Sequence, residues 1–198
     1  MSRSRMLTFG VVAVLCVVGY FGWKLTFRNA YESAEYQVVV SENAFQIRDY
    51  PELMLASTSM EFERQGNDGS FMRLFRFISG NNDAEQKVAM TVPVFMEREA
   101  DAADGSMGFV MPKLVADEGV PRPADGRVQV KRRPAGRFAV IRFAGKVNDR
   151  ELKRKEQALR TWIEERGLQS TGATEVAGYD PPWTPGLLRR NEVLIRIK

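Results

Sequence analysis

The feature that most restricts how this chain can fold is an internal repeat. The stretch "FQIRDYPELMLAS" from Phe45 and the stretch "VQVKRRPAGRFAV" from Val128 follow one pattern at an offset of 83 residues. Phe45 and Ile47 match Val128 and Val130, Pro51 matches Pro134, and Leu55-Ala56 matches Phe138-Ala139. The same offset carries residues 70–79 onto 153–162 and residues 91–96 onto 174–179. Alternating apolar residues mark strands, and recurrence at i, i+3, i+4 and i+7 marks a helix face. A unit of strands, helix and strands used twice gives about eight strands and two helices. Antiparallel strands curled on themselves dispose of sheet edges that would otherwise stay open. The expected fold is therefore α+β: a distorted antiparallel β-barrel flanked by two helices and built by duplication.

The elements can be placed along the chain. Phe71, Leu74, Phe75 and Ile78 share one face of a first helix, which Ser79-Gly80-Asn81-Asn82 ends. Strands follow over 88–96 and 107–111, separated by an acidic loop, and a turn-rich connector covers 116–126. A second helix starts at Asn148 or Asp149, both good N-caps, and buries Leu152, Leu159, Trp162 and Ile163. Glu151–Lys155 and Glu156–Arg160 are i,i+4 pairs in the favourable order. The chain closes on "YDPPWTPGLLRRNEVLIRIK", a proline-rich corner running into an alternating strand.

The N-terminus is of a different kind. Residues 6–23 carry no charge, and at 1.5 Å per residue such a helix is about 27 Å long, close to the ~30 Å bilayer core. Tyr20 and Trp23 are placed as interfacial anchors. The run exceeds the roughly 7–15 apolar residues of a signal peptide, so an uncleaved anchor is expected. The expected organisation is an anchor over 1–28, a linker over 29–37 and a domain over 38–198. Arg3 and Arg5 favour a cytoplasmic N-terminus, which puts the domain outside the cytoplasm, in the periplasm of a bacterium.

Charge and composition exclude several functions. The net charge of +4 comes from four basic residues within 1–29; the rest balances 25 basic against 25 acidic residues. Without a global positive field, nucleic acid is a poor partner. There is no histidine, and Cys16, the only cysteine, lies in the apolar run. The commonest general base, metal ligand and haem ligand are therefore missing. Asp49, Glu97, Asp180 or Glu192 could serve as acid or base, but no nucleophile elbow, phosphate loop or zinc signature accompanies them. The chain is expected not to be an enzyme. The alternatives are a membrane-tethered interaction module and, less favoured, an enzyme acting on a hydrophobic small molecule.

Four stretches, "FRFISGNN", "KVAMTVPV", "MGFVMP" and "GYDPPWTPGLLRRNEVLIRI", with "IRDYP" near the start of the domain, resemble the SOUL haem-binding family. The resemblance covers residues 36–198. It implies a distorted barrel with two helices, in agreement with the repeat, and a function in binding haem or a related tetrapyrrole. In such proteins binding is ascribed to the first helix near the proline-rich loop. That implies a non-covalent site at Phe71, Met72, Phe75, Arg76, Trp183, Arg189 and Arg190, with no histidine ligand. Aromatic and apolar side chains would hold the ring, and arginine forks would hold propionates. Where family members can carry methionine, this chain has Phe71 and Phe75. Met72 and Tyr179 are the nearest candidates for an iron ligand. The same residues have competing structural readings: a helix face with that spacing is often core, Trp183 can pack among prolines, and Arg189 and Arg190 can pair or cap.

Overall fold

The computed structural model describes residues 31–61, 68–98, 104–181 and 184–198. The expected anchor therefore lies outside the described residues. Among those described, no helix is long and apolar enough to cross a membrane.

Nine strands form one antiparallel sheet. They are β2 (Gln37–Glu42), β3 (Phe45–Tyr50), β4 (Leu53–Glu61), β6 (Val94–Arg98), β7 (Asp104–Val110), β8 (Val128–Arg133), β9 (Gly136–Ala144), β10 (Ser170–Gly178) and β11 (Arg190–Ile197). Two short strands, β1 (Glu32–Ser33) and β5 (Thr91–Val92), pair in parallel beside it. Three helices are added: α1 (Ser70–Ile78), the short α2 (Lys113–Glu118) and α3 (Asp149–Glu164).

The order across the large sheet is β2-β3-β9-β11-β10-β6-β7-β4-β8. From β3 onward it reads the same from either end once β3 is matched to β8, β4 to β9, β7 to β11 and β6 to β10. The register carries the 83-residue offset through the first two strands of each half: Phe45 faces Ile141 across β3 and β9, and Val128 faces Thr58 across β8 and β4. The first strand of each half thus pairs with the second strand of the other half, so neither half completes its sheet alone. The offset does not extend to the expected match of 91–96 with 174–179, because the facing pair Phe95 and Gly108 of β6 and β7 corresponds to Glu175 and Leu194 of β10 and β11. The two halves join at β6 and β10, where Met96 faces Val176.

Side chains alternate between two faces, as strand geometry demands. Outward-facing residues receive the helices. Leu152, Leu159, Trp162 and Ile163 of α3 pack on Ala139, Ile141, Val193 and Ile195. Leu74, Phe77 and Ile78 of α1 pack on Ala56, Met60, Met107 and Phe109. The inward residues form a third layer, including Tyr50, Leu55, Phe95, Phe138, Val140, Tyr179 and Leu194. Tyr50 of β3 meets Phe95 of β6 edge-on at 6.4 Å, and the Arg133 guanidinium of β8 lies 5.0 Å from the Tyr50 ring. The sheet therefore curls until strands near its opposite ends touch through side chains. β2 and β8 remain its hydrogen-bonding edges, so the barrel is approached but not closed by backbone bonds.

Two expectations need correction. Residues 31–37 are not a free linker: Ala34 is buried, its N–H bonds the Val92 carbonyl, and the Tyr36 ring packs on Tyr50 at 5.2 Å. The buried face of α1 is also turned. Phe77 is in the core, while Phe75 is 43% exposed. The apolar residues 71, 74, 75, 77 and 78 allow two overlapping faces, and the layer of β4 and β7 selects the one centred on Leu74, Phe77 and Ile78. The second helix is as expected: Asn148 caps it, its Oδ1 accepting from the Glu151 N–H at 2.9 Å.

Candidate functional site

The outward face of α1 presents three apolar side chains. Phe71 is half-buried against Phe109, at 5.3 Å between ring centres. Phe75 stacks on Phe71, 6.2 Å apart and 12° from parallel. Met72 is 47% exposed beside them. Arg76 lies exposed in the last turn, where a cation also suits the helix dipole. The neighbouring Arg73 is committed elsewhere, donating to Thr58 Oγ1 at 3.1 Å and the Ser59 carbonyl at 2.6 Å. The result is a flat aromatic and thioether surface with one cation at its end.

Arg189 and Arg190 are positioned by other elements. They follow a 3₁₀ turn, Gly186–Leu188, and Arg190 pairs with Ala144 of β9. With Arg142, Phe143 and Leu188 they line a shallow cleft of ≈ 390 Å³. Arg189 Nε donates to the Thr184 carbonyl at 2.8 Å. None of the α1 residues lines this cleft. The helix group rests on β4, β7 and β8, whereas the arginines sit on β9 and β11. Trp183, expected to meet the ring, lies outside the described residues.

Arg190 also belongs to a buried cluster that the sequence reading missed. The Glu192 carboxylate, fully buried, accepts from Arg48 at 2.7 and 2.9 Å, from Arg190 at 2.6 and 3.0 Å, and from the Tyr179 hydroxyl at 2.9 Å. Arg48 also donates to Tyr50 Oη, and its guanidinium lies 4.3 Å from the Tyr36 ring centre. Burial alone would raise the Glu192 carboxyl, but hydrogen bonds and charge from Arg48, then Arg190, hold it below its ordinary range. Burial pushes the Tyr179 hydroxyl far up, and the Glu192 charge adds to this. Tyr179 is thus a poor iron ligand, being neutral and donating to a carboxylate. The signal was present in the sequence: strand alternation turns Arg48 inward with Tyr50, and a buried guanidinium requires an anion.

The motifs "IRDYP", "GYDPP" and "RRNEV" therefore meet in one structural cluster. The asparagine of "SGNN" is structural too: Asn82 donates to the Phe77 and Gln86 carbonyls and accepts from the Ala84 and Gln86 N–H groups. Gly80 before it has φ of +114°, which suits only glycine. Among the described residues no group of three or more metal-ligating side chains occurs.

A curled antiparallel sheet with a swapped two-fold repeat and two outer helices defines the class of fold. Residues 31–196 match the sequence profile of the SOUL heme-binding protein, and the chain belongs to that family. Among proteins of curated function, none matches the sequence significantly. Solved structures share the fold. The EcmrR C-terminal domain superposes with a TM-score of 0.58 at 14% identity, covering 82% of this chain and 98% of that one. A hydrolase from Listeria innocua superposes at 0.57 and 10% identity, covering 81% and 94%. At such identities the likeness concerns the fold alone.

Proposed function

We propose that this protein is a membrane-anchored carrier, buffer or sensor of haem or a related tetrapyrrole. The macrocycle lies on Phe71, Met72 and Phe75 of α1, and Arg76 sits at its rim. Trp183, Arg189 and Arg190 of the closing segment serve the other edge and the propionates. Arg190 would have to leave Glu192 to do so, which makes Arg76 and Arg189 the first candidates. Residues 6–23 tether the domain to the membrane, on the periplasmic side in a bacterium.

One observation carries this reading. In a chain of a heme-binding family, α1 keeps a stacked aromatic pair and a methionine on its outer face, although its inner face already supplies the core. Those residues fit a flat apolar ring. Burying a few hundred Å² at about 25 cal/mol/Å² supplies several kcal/mol before association costs. Bound haem would supply iron chemistry; this chain's own residues stack, orient the ring and pair its carboxylates. Met72 is the exposed thioether within that surface.

The test is a titration of the full-length chain in lipid nanodiscs with haemin and with protoporphyrin IX, followed by tryptophan fluorescence and the Soret band, with empty nanodiscs subtracted. Both ligands are expected to saturate one site. Met72→Ser with Phe75→Ser touches only exposed side chains, so the fold should persist while affinity falls roughly tenfold or more. Unchanged affinity in the folded variant would refute the site, and absence of binding by either porphyrin would refute the function.

A further inference from the structure

The inner face of the sheet holds a second cavity, of ≈ 330 Å³, whose origin lies in the repeat. The two halves are not filled alike. In the second half, Val140 of β9 faces Leu194 of β11, and both are fully buried. Their counterparts in the first half are Ser57 of β4 and Gly108 of β7, which also face each other. Valine and leucine are thus replaced by serine and glycine, and the missing volume is the cavity floor. A Cβ at Gly108 would meet Leu55 Cδ1 at 3.2 Å, so a side chain there would press on Leu55.

The wall above that floor is asymmetric in charge. Tyr50 and Phe95 of the first half correspond to Arg133 and Glu175 of the second, so an aromatic edge contact becomes an ion pair. The Arg133 side chain is 6% exposed and lines the cavity. Its Nε and Nη2 both donate to one oxygen of Glu175, at 2.9 and 2.8 Å. Its Nη1 is buried with no acceptor among the described residues. The same guanidinium lies 4.2 Å from the Phe138 ring, 4.6 Å from Phe95 and 5.0 Å from Tyr50, and these ring faces offset part of the cost of the missing acceptor.

The other groups shift the balance the same way. Among the described residues Arg196 donates to the backbone carbonyls of Ala135 and Pro134 and to no carboxylate. It lies so close to Gly136 that a Cβ there would meet its Nη1 at 1.8 Å. Lys131 approaches Glu97 only to 3.9 Å, and both are half-exposed. Four basic residues, Lys131, Arg132, Arg133 and Arg196, line this concave surface with two carboxylates, Glu97 and Glu175; Arg132 pairs with Glu52 at 3.3 Å, which leaves Lys131, Arg133 and Arg196 for an anion. Burial pushes the Glu175 carboxyl up against the opposing pull of Arg133. Leu55 and Phe95 supply apolar wall.

We propose that this inner cavity binds a compact organic anion, a carboxylate on an apolar body, with the charge held by Arg133, Lys131 and Arg196 and the body placed over Ser57 and Gly108. The site faces inward, whereas the tetrapyrrole surface of α1 faces outward, so the two are independent.

The full-length chain in nanodiscs is titrated calorimetrically with 1-naphthoate and with 1-naphthamide, its uncharged isostere, empty nanodiscs subtracted. Naphthoate is expected to bind one-to-one, about tenfold or more tighter than the amide at low salt, with the difference shrinking as salt is added. Lys131→Gln with Arg196→Gln should weaken naphthoate by roughly tenfold and leave the amide unchanged. Should that pair disturb folding, Lys131→Gln alone still removes a half-exposed charge. Ser57→Val, which copies Val140, should weaken both compounds by filling the floor. Met72→Ser with Phe75→Ser should alter neither. Equal affinity for acid and amide, binding by neither, or naphthoate affinity unchanged in a folded charge variant would each overturn the proposal.

Discussion

Replacing Glu192 by glutamine removes the one anion that the buried Arg48 and the half-buried Arg190 share. The Glu192 side chain is wholly buried and that of Arg48 is 1% exposed, so water cannot replace the lost charge. The amide keeps the shape but offers one acceptor oxygen where the carboxylate accepts five hydrogen bonds. Breaking a buried pair in this way costs about 3–5 kcal/mol. A domain of this size has about 5–15 kcal/mol of stability in total. Each kcal/mol shifts Tm by about 2–4 °C in chains of 150–250 residues, so Glu192→Gln should melt roughly 6–20 °C lower by circular dichroism. The dependence on pH should change too. Arg48 and Arg190 hold the folded carboxyl below its unfolded value, so its stabilisation is full above the ordinary carboxylate range, near about 4.3. It is lost as pH falls through the depressed folded value, and the variant should lack that portion of the acid-side loss. A Tm within about 2 °C of wild type, with an unchanged acid limb, would refute the view that this cluster fastens the ends of the domain together.

Two further outcomes are expected. Phe77→Ala should cost about 3–5 kcal/mol by urea denaturation, because Phe77 is 1% exposed in the core, while Phe75→Ser should cost far less; comparable costs would show that α1 buries the other face. Mass spectrometry of the mature protein should still find Arg3 if residues 6–23 remain as the anchor, and an N-terminus near Ala30 would refute it.

How much of the site was legible follows from the range of the forces involved. The motifs singled out by the sequence proved to be of two kinds. Asn82 and Gly80 fix a turn by local bonds, and their roles could be read from spacing. Arg48 and Glu192 lie 144 positions apart, and only the pairing of β3 with β9 and of β9 with β11 brings them together. Arg190, expected to meet a ligand, is bound to Glu192 for the same reason. The cavity could not be read at all, since Ser57 and Gly108 look like ordinary strand residues until their counterparts Val140 and Leu194 show what a filled layer contains.

By itself the sequence determined the two main helices, most of the strands, the repeat, the buried face of α3 and the family, because periodicity, caps and offsets are properties of neighbouring residues. Tertiary structure alone decided which face of α1 is buried. Residues 71, 74, 75, 77 and 78 satisfy two helical faces, and only the shape of the layer formed by β4 and β7 chooses between them. That choice sends Phe77 into the core and leaves Phe75 and Met72 on the surface, where a flat ligand can reach them.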